Sequence, residues 1–542
     1  MLQPENQTKK YDFLFADIDS GRIKIPKFQR EFVWTKEQTA NLIDSIIKGF
    51  PIGTFIFWRT TDELRHVKNI GNVELKDSPA GEPVMYVLDG QQRITSLYAV
   101  RKGVIFDSEG QQVNYGDIFI NLDLEPDADE QVVTVDPPKD AASITVHNLL
   151  TMDLSNLFEN YKDYIKKIDI YKTRLTTYDF STIVITNYPL DIACEVFTRI
   201  NTGGTELTLF EIMVAKTFDL EKGFDLAERF QSLIDSNGKA KDLEDANFET
   251  ITPSTILQCV SAYAYKQIRR KDILKIPKDD FIAAWPHIVD GLFAAVDYIR
   301  TYLRVPVSQL LPYNALLVPL TYFFIKNYRQ KPNAIQDKYL SQYFWWASLG
   351  NRYSAGMENK VAQDIERMNA ILENKQPSYL NEEVQLKKED LRWRWFSTGD
   401  AFCRAILCLL AYHAPRSFNN DALVTLDNSW LKTTTSKNYH HFFPRYYLTK
   451  QRKLEDWKAN SLLNITIVDD HLNKRTIRAR SPGEYMLDFI DSNPKLEGTM
   501  KTHLIDDLDD YGVWNDDYEH FIERRCERVL EDLNKRLNPE GE

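Results

Sequence analysis

Two stretches of this 542-residue chain bring together residue types that can do chemistry. In one, Tyr439-His440-His441-Phe442-Phe443-Pro444 is followed by an apolar run, Leu462 to Val468, with Asn464 inside it. Next comes Asp469-Asp470-His471-Leu472-Asn473-Lys474-Arg475, which reads as the opening of a helix. A neutral imidazole can act as a base for water near neutral pH. A second imidazole and an amide oxygen can hold a divalent ion that stabilises charge on a phosphodiester being cut. An Asn set between Leu463 and Ile465 needs hydrogen-bond partners, and the back of a catalytic histidine is one candidate. The plain alternative is a pair of partly buried histidines, because neighbours on a strand point to opposite faces. His-His-x-x-Pro alone favours that alternative; the added Asn464 and Asn473 favour a site.

The other stretch is an apolar strand, residues 84–88, running into Asp89-Gly90-Gln91-Gln92-Arg93 and then a helix to Arg101. Free backbone N–H groups at a helix start attract phosphate. Gly90 permits close backbone approach, and Arg93 offers a fork for phosphate oxygens. Gln91 and Gln92 supply amides, and Asp89 is placed to hold an ion or position a water. An equally weighted reading is structural, since Asp89-x-x-Gln92 is a variant of the helix capping box. Phe28-Gln29-Arg30 with Trp34, and Arg199, Asn201, Gly203 and Gly204, give two more polar turns in the same two hundred residues. Three such turns point to one shared site. Gly203-Gly204 also fits a plain turn before a Thr208-x-x-Glu211 helix cap.

The elements that must position these groups follow from the pattern around them. Thr35-Lys36-Glu37-Gln38 is a capping box, and Leu42, Ile43, Ile46 and Ile47 give the helix to Lys48 an apolar face. Strands are expected at Lys24–Phe28, Gly53–Trp58 and Thr182–Thr186, and Pro126 to Ala142 reads as a loop. From Glu211 to about Leu410 the periodicity is helical. Phe344, Trp345, Trp346, Trp393 and Trp395 are expected to pack between helices rather than stack bases. At roughly 100–200 residues per domain, the expected domains are 1–215, 216–420 and 421–542.

Composition sets outer limits. Hydrophobic residues make up 43% of the chain, enough for real cores, and the net charge of −12 argues against a wholly basic surface. The five cysteines form no C-x-x-C pair, which fits a reducing cytosol rather than a disulfide framework. The N-terminus lacks the apolar stretch of a signal peptide. The longest apolar run, Leu310 to Ile325, is broken by Pro312, Asn314 and Pro319 and reads as buried core rather than a membrane span. Cytoplasmic localisation and no membrane partner are expected.

Three segments in order, KIPKFQREFVW, YVLDGQQRITSL and VFTRINTGGTELT, resemble the N-terminal domain of GmrSD-type restriction enzymes over roughly residues 10–215. The resemblance implies a ParB/sulfiredoxin-like α+β fold and NTP binding and hydrolysis. It carries the nucleotide role to Asp89 (as a catalytic residue), Gly90, Gln91, Gln92 and Arg93, then to Gln29, Arg30, Arg199 and Asn201. No G-x-x-x-x-G-K-[ST] is present, so a Walker-type NTPase is disfavoured. The segments HFFPRYYL and LLNITIVDDHLNKR resemble the family's C-terminal HNH (ββα-metal) nuclease domain. That resemblance implies His441 as general base, Asn464 as its orienter, and His440 and Asn473 as ligands of Mg²⁺ or Mn²⁺, with His471 a substitute ligand. Many relatives carry an acidic residue where His440 stands.

Charge agrees with a nucleic-acid substrate. Between Lys437 and Arg480 there are ten Lys or Arg and four acidic residues, a local +6. Lys474, Arg475, Arg478 and Arg480 lie where phosphates beside a cut are expected. The expected protein is thus an α+β multidomain, NTP-regulated, metal-dependent DNA endonuclease of anti-phage defence, joined through a helical connector. Two alternatives stand: a nucleotide-switched DNA-binding protein without cleavage, and an HNH nuclease acting on RNA. Double-strand cleavage by one HNH site per chain would favour pairing of protomers.

Overall fold

The computed structural model describes residues 3–539 apart from 28, 30–31, 63, 80, 109–110, 201–207, 381, 429–438, 469–476 and 478. The chain forms two compact units, residues 1–226 and 227–542. The boundary expected near 420 lies inside the second.

The first unit is a mixed α+β structure. A five-stranded sheet is built from β1 (Glu5–Lys10), β2 (Ile23–Lys24), β3 (Phe55–Thr60), β4 (Val84–Asp89) and β5 (Asp179–Thr186). Its order is β1-β5-β3-β4-β2, with β5/β3 and β4/β2 parallel and the other pairs antiparallel. The strand expected over Lys24–Phe28 is only the two-residue β2. The central strands are apolar: Phe55, Phe57, Trp58, Tyr86, Val87 and Leu88 are buried.

Against the sheet pack α1 (Lys36–Ile47) and α2 (Gln91–Lys102). The expected capping box forms: Thr35 accepts from the Gln38 N–H, and Gln38 returns a bond to the Thr35 N–H. Leu42, Ile43, Ile46 and Ile47 are all buried, each worth roughly 1.5–3 kcal/mol of apolar transfer. A buried bond from the Thr39 hydroxyl to Ser96 Oγ, 3.1 Å, ties α1 to α2. A hairpin, Ile105–Ser108 with Gln111–Asn114, follows α2. Within the expected loop Pro126–Ala142, Val133–Thr134 pairs with Phe119–Asn121 as a short strand.

The second unit is mainly helical. Its long elements include α3 (Lys278–Thr301), α4 (Leu317–Lys326), α5 (Ala334–Leu349), α6 (Ala401–Tyr412) and α7 (Tyr518–Leu537). Gly291 of α3 lies so close to α4 that a Cβ there would sit 2.3 Å from Ile325 Cγ1. The apolar run from Leu310 becomes two single turns and α4, nearly all buried. Among the described residues no helix is long and apolar enough to cross a membrane. Phe344, Trp345 and Trp346 are buried as expected. Trp395 departs from that expectation: it is 46% exposed, with the Arg445 guanidinium 5.7 Å from its ring.

Candidate functional site

The DGQQR turn is shaped by what Gly90 makes possible. At φ +92° it occupies the left-handed region, and a Cβ would fall 2.3 Å from the Phe55 ring. The β3/β4 register shifts between Ile56 and Phe57, where Asp89 ends its strand opposite Ile56. Glycine heads α2 without any side-chain cap, so the Asp89-x-x-Gln92 capping box is not formed. Asp89 instead meets Arg93 one helical turn on, at 3.0 Å. The Arg93 guanidinium also donates to the carbonyls of Ile52, at 2.6 Å, and Thr54, at 3.1 Å, and lies over the Phe55 ring. Its fork, expected to face phosphate, therefore holds the loop before β3 in place. Gln92 is buried and accepts from the Val33 N–H at 2.9 Å.

Gln91 faces a different space. Together with Gln29 and Thr95 it lines a cleft of about 740 Å³ whose walls include Phe32, Trp34, Phe106 and Tyr115. Three of these rings pack on one another, Phe32–Phe106 at 4.9 Å, Phe32–Tyr115 at 5.5 Å and Phe106–Tyr115 at 5.3 Å. The Tyr115 hydroxyl donates to the Trp34 carbonyl, and burial, with the Glu37 charge adding, pushes its pKa up to about 12. Gln29 donates its amide to the Val87 carbonyl, so a residue before α1 is tied to the strand that leads into the turn. Thr35 and Lys36, at the α1 start, also line the cleft. The expected nucleotide residues thus divide: Gln29 and Gln91 share the cleft, whereas Asp89 and Arg93 form a clamp that does not line it. Arg199 is 78% exposed in its side chain and pairs with Glu195 at 2.5 Å. Arg30 and Asn201, with Gly203 and Gly204, lie outside the described residues.

In the second unit β6 (Tyr439–His441) and β7 (Ile465–Ile467) form an antiparallel pair, with His441 opposite Ile465 and His440 opposite Thr466. The strand expected over Leu462–Val468 is shorter, because Leu462–Asn464 forms a single tight turn. Asn464 is fully buried in that turn. Its side chain accepts from the Phe443 N–H at 2.8 Å and donates to the carbonyls of Phe443, at 2.9 Å, and Ala459, at 3.1 Å. The amide therefore staples the chain just after His441 and makes no bond to the imidazole.

Asn460 makes that bond, and sequence reasoning missed it. His441 Nε2 lies 2.8 Å from Asn460 Oδ1, while Asn460 Nδ2 donates to the Phe396 carbonyl at 3.0 Å. A carbonyl can only accept, so the Phe396 contact fixes which way the amide faces. Oδ1 must then accept from an Nε2–H, which leaves the lone pair of His441 on Nδ1. Burial lowers the His441 pKa; the Asn460 bond opposes this, and the Arg445 guanidinium reinforces it. Arg445 is itself paired with Asp456, 2.6 Å from Nε. The outcome is a neutral imidazole, fixed in tautomer, whose Nδ1 has no hydrogen-bond partner among the described residues.

His440 is 3% exposed and packs its ring edge-on toward Phe418 and Tyr485. Among the described residues no group of three or more His, Cys, Asp or Glu could hold a metal ion. Asn473, His471, Lys474, Arg475 and Arg478 lie outside the described residues. The described part of the site does not by itself fit a bound ion. Arg480, expected at a DNA phosphate, pairs with Asp488 at 2.7 Å.

Residues 12–218 match the family model for the N-terminal domain of GmrSD restriction endonucleases. This chain contains a GmrSD-type N-terminal domain. The DGQQR clamp and the aromatic cleft both fall within the matched residues. The GmrSD match suggests a restriction-endonuclease-like role and DNA as a partner. An uncharacterized protein of Methanocaldococcus jannaschii is 23% identical over an alignment 606 positions long, which covers 98% of this chain and 99% of that protein. At 98% of this chain, the alignment extends beyond the GmrSD match into the second unit.

Proposed function

We propose that the protein is a nucleotide-regulated endonuclease that restricts foreign or modified DNA, with an HNH-type hydrolytic centre at His441. The observation that carries this reading is the His441–Asn460–Phe396 relay, in a chain whose residues 12–218 match a GmrSD-type N-terminal domain. In it, His441 Nδ1 takes a proton from the attacking water, Asn460 holds the ring, and Asn464 fixes the loop that carries it. The first unit binds an NTP and biases cleavage; a gate of this kind spares host DNA. Asp89 is assigned to nucleotide hydrolysis, and Asn473 with His440 to a divalent ion.

The test is cleavage of plasmid and of modified phage DNA by the full chain, with Mg²⁺ or Mn²⁺, with and without each NTP. His441→Ala and Asp89→Ala are run beside the wild type. Cutting lost in His441→Ala but retained as nucleotide-independent cutting in Asp89→Ala supports two functions in one chain. Undiminished cutting by His441→Ala overturns the assignment of the base. Absence of cutting on every DNA, with NTP-dependent DNA binding intact, moves the reading to a switch without cleavage.

A further inference from the structure

Three large rings of the second unit, Trp395, Tyr446 and Trp457, are exposed, whereas Phe344, Trp345 and Trp346 are buried. The backbone at Trp395 is nevertheless held from both sides. It bridges Ser461 in an antiparallel pairing, its carbonyl accepts from the Cys403 thiol at 3.4 Å, and Leu462 donates to the Arg394 carbonyl at 2.7 Å. The next residue, Phe396, exchanges two bonds with Asn460. Its N–H donates to the Asn460 carbonyl at 2.9 Å, and its own carbonyl accepts the side-chain amide. Asn460 is the residue that holds His441. The fold thus fixes, next to the His441 relay, a position whose indole it leaves half in water. An indole left in water contributes little to stability, and a smaller residue would carry the same bridge.

The charge around the ring matches nucleic acid. The Arg445 guanidinium lies over the Trp395 ring, 5.7 Å from its centroid, and is itself anchored by Asp456. Its charge also reaches the His441 imidazole. From Arg445 to Lys458 five Lys or Arg stand against two acidic residues, in a chain of net charge −12, and Lys450, Arg452 and Lys453 are exposed. A flat π surface among cations suits a DNA base with its phosphates: the base stacks, and the cations hold the backbone on either side. An apolar protein surface is a poorer occupant, because it would have to cover those charges.

We propose that Trp395 stacks one unpaired base of the DNA substrate beside the phosphate cut at His441, with Lys450, Arg452 and Lys453 on neighbouring phosphates. The proposal rests on the endonuclease reading above and deepens it. A base on the indole cannot stay paired in the duplex, so the protein cuts at a base that is already unpaired or is turned out of the helix.

Binding of the full chain to fluorescein-labelled oligothymidylate, and to an abasic strand of the same length, tests it. Anisotropy is read without added metal, so that cutting does not intervene. Wild type should prefer the thymidine strand. Trp395→Leu should weaken that strand about tenfold and leave the abasic strand as it was. Trp395→Phe, which keeps a stacking face, should bind it within about threefold of wild type. An indole with a structural role alone would move both strands together or neither. Oligothymidylate bound as tightly by Trp395→Leu as by wild type, or both strands weakened alike, overturns the stacking and leaves the endonuclease reading standing. Should Trp395→Leu not fold, a wild type without preference for the thymidine strand overturns it. A wild type that binds duplex DNA but neither single strand does the same. One that binds no DNA at all removes the endonuclease reading, and this inference with it.

Discussion

The two units solve the same local problem, a polar turn at the end of a strand, with different chemistry. At Asp89–Arg93 the turn depends on backbone freedom: Gly90 adopts φ +92° under the Phe55 ring, and an ion pair plus two carbonyls hold the guanidinium alongside. At Leu462–Asn464 it depends on a neutral amide that bonds three backbone groups of the surrounding chain. The first arrangement ties up its charges and leaves an open cleft next to the turn. The second buries its polar groups and leaves one imidazole nitrogen without a partner among the described residues. Sequence motifs mark where such turns are, but a residue in the motif can serve the turn rather than the ligand.

The largest expected effect is on that imidazole nitrogen. His441→Ala should lower cleavage by about 10²–10⁴-fold, the range expected when a general base is removed, with little change in DNA binding. Equal turnover by the variant would mean that the locked tautomer serves packing alone. Next comes the amide staple. Asn464→Leu keeps the volume but strands one N–H and two carbonyls in the interior, and should cost the second unit about 4 kcal/mol, read by chemical denaturation. A loss below about 1 kcal/mol would place the loop's stability elsewhere and undo the contrast with Gly90.

Gly90→Ala probes the other side of the comparison. It combines a left-handed backbone with a Cβ 2.3 Å from a buried ring, and is expected to destabilise the first unit by about 2–3 kcal/mol. Wild-type stability in this variant would show that the turn does not need its glycine.

How much of this was legible in the sequence depends on the range of the interactions. The capping box at Thr35, that at Thr208, and the strand–turn–helix through Asp89 are set by residues within a few positions of one another, and the structure has them. The role of Arg93 was not legible, because its carbonyl partners lie about forty residues back, at Ile52 and Thr54. Asn460 was missed for a similar reason. It ends a single helical turn, Asp456–Ala459, in a stretch with no periodic signal, nineteen residues beyond His441. An Asn just before an apolar run was the one local cue. The cleft is drawn from four separate stretches, residues 25–37, 67–70, 91–95 and 106–115; only Trp34 and the polar residues of the two motifs hinted at it.

The smallest effect compares one buried histidine in each unit. His503 is wholly enclosed; its Nε2 contacts the Arg416 carbonyl at 2.7 Å, its ring stands edge-on to Phe418, and its own carbonyl accepts from Arg525. Burial holds its pKa down to about 4, with the Arg416 carbonyl opposing and the Arg525 charge reinforcing the shift. The unfolded chain therefore binds a proton near pH 6.5 that the folded chain refuses until about pH 4. Stability from this group is complete above pH 6.5 and declines as pH falls through that window. At pH 5 the loss should be about 2 kcal/mol. His66 in the first unit is also lowered by burial, yet its Nε2 has the Asp77 carboxylate at 2.9 Å, which favours the charged ring. The prediction is therefore a difference between variants: His503→Gln should remove about 2 kcal/mol of the stability change between pH 7 and pH 5, and His66→Gln distinctly less. Denaturation midpoints of both variants and the wild type at the two pH values measure it. An identical response of wild type and His503→Gln would mean that the enclosed imidazole is protonated, with a rearrangement, well above pH 4.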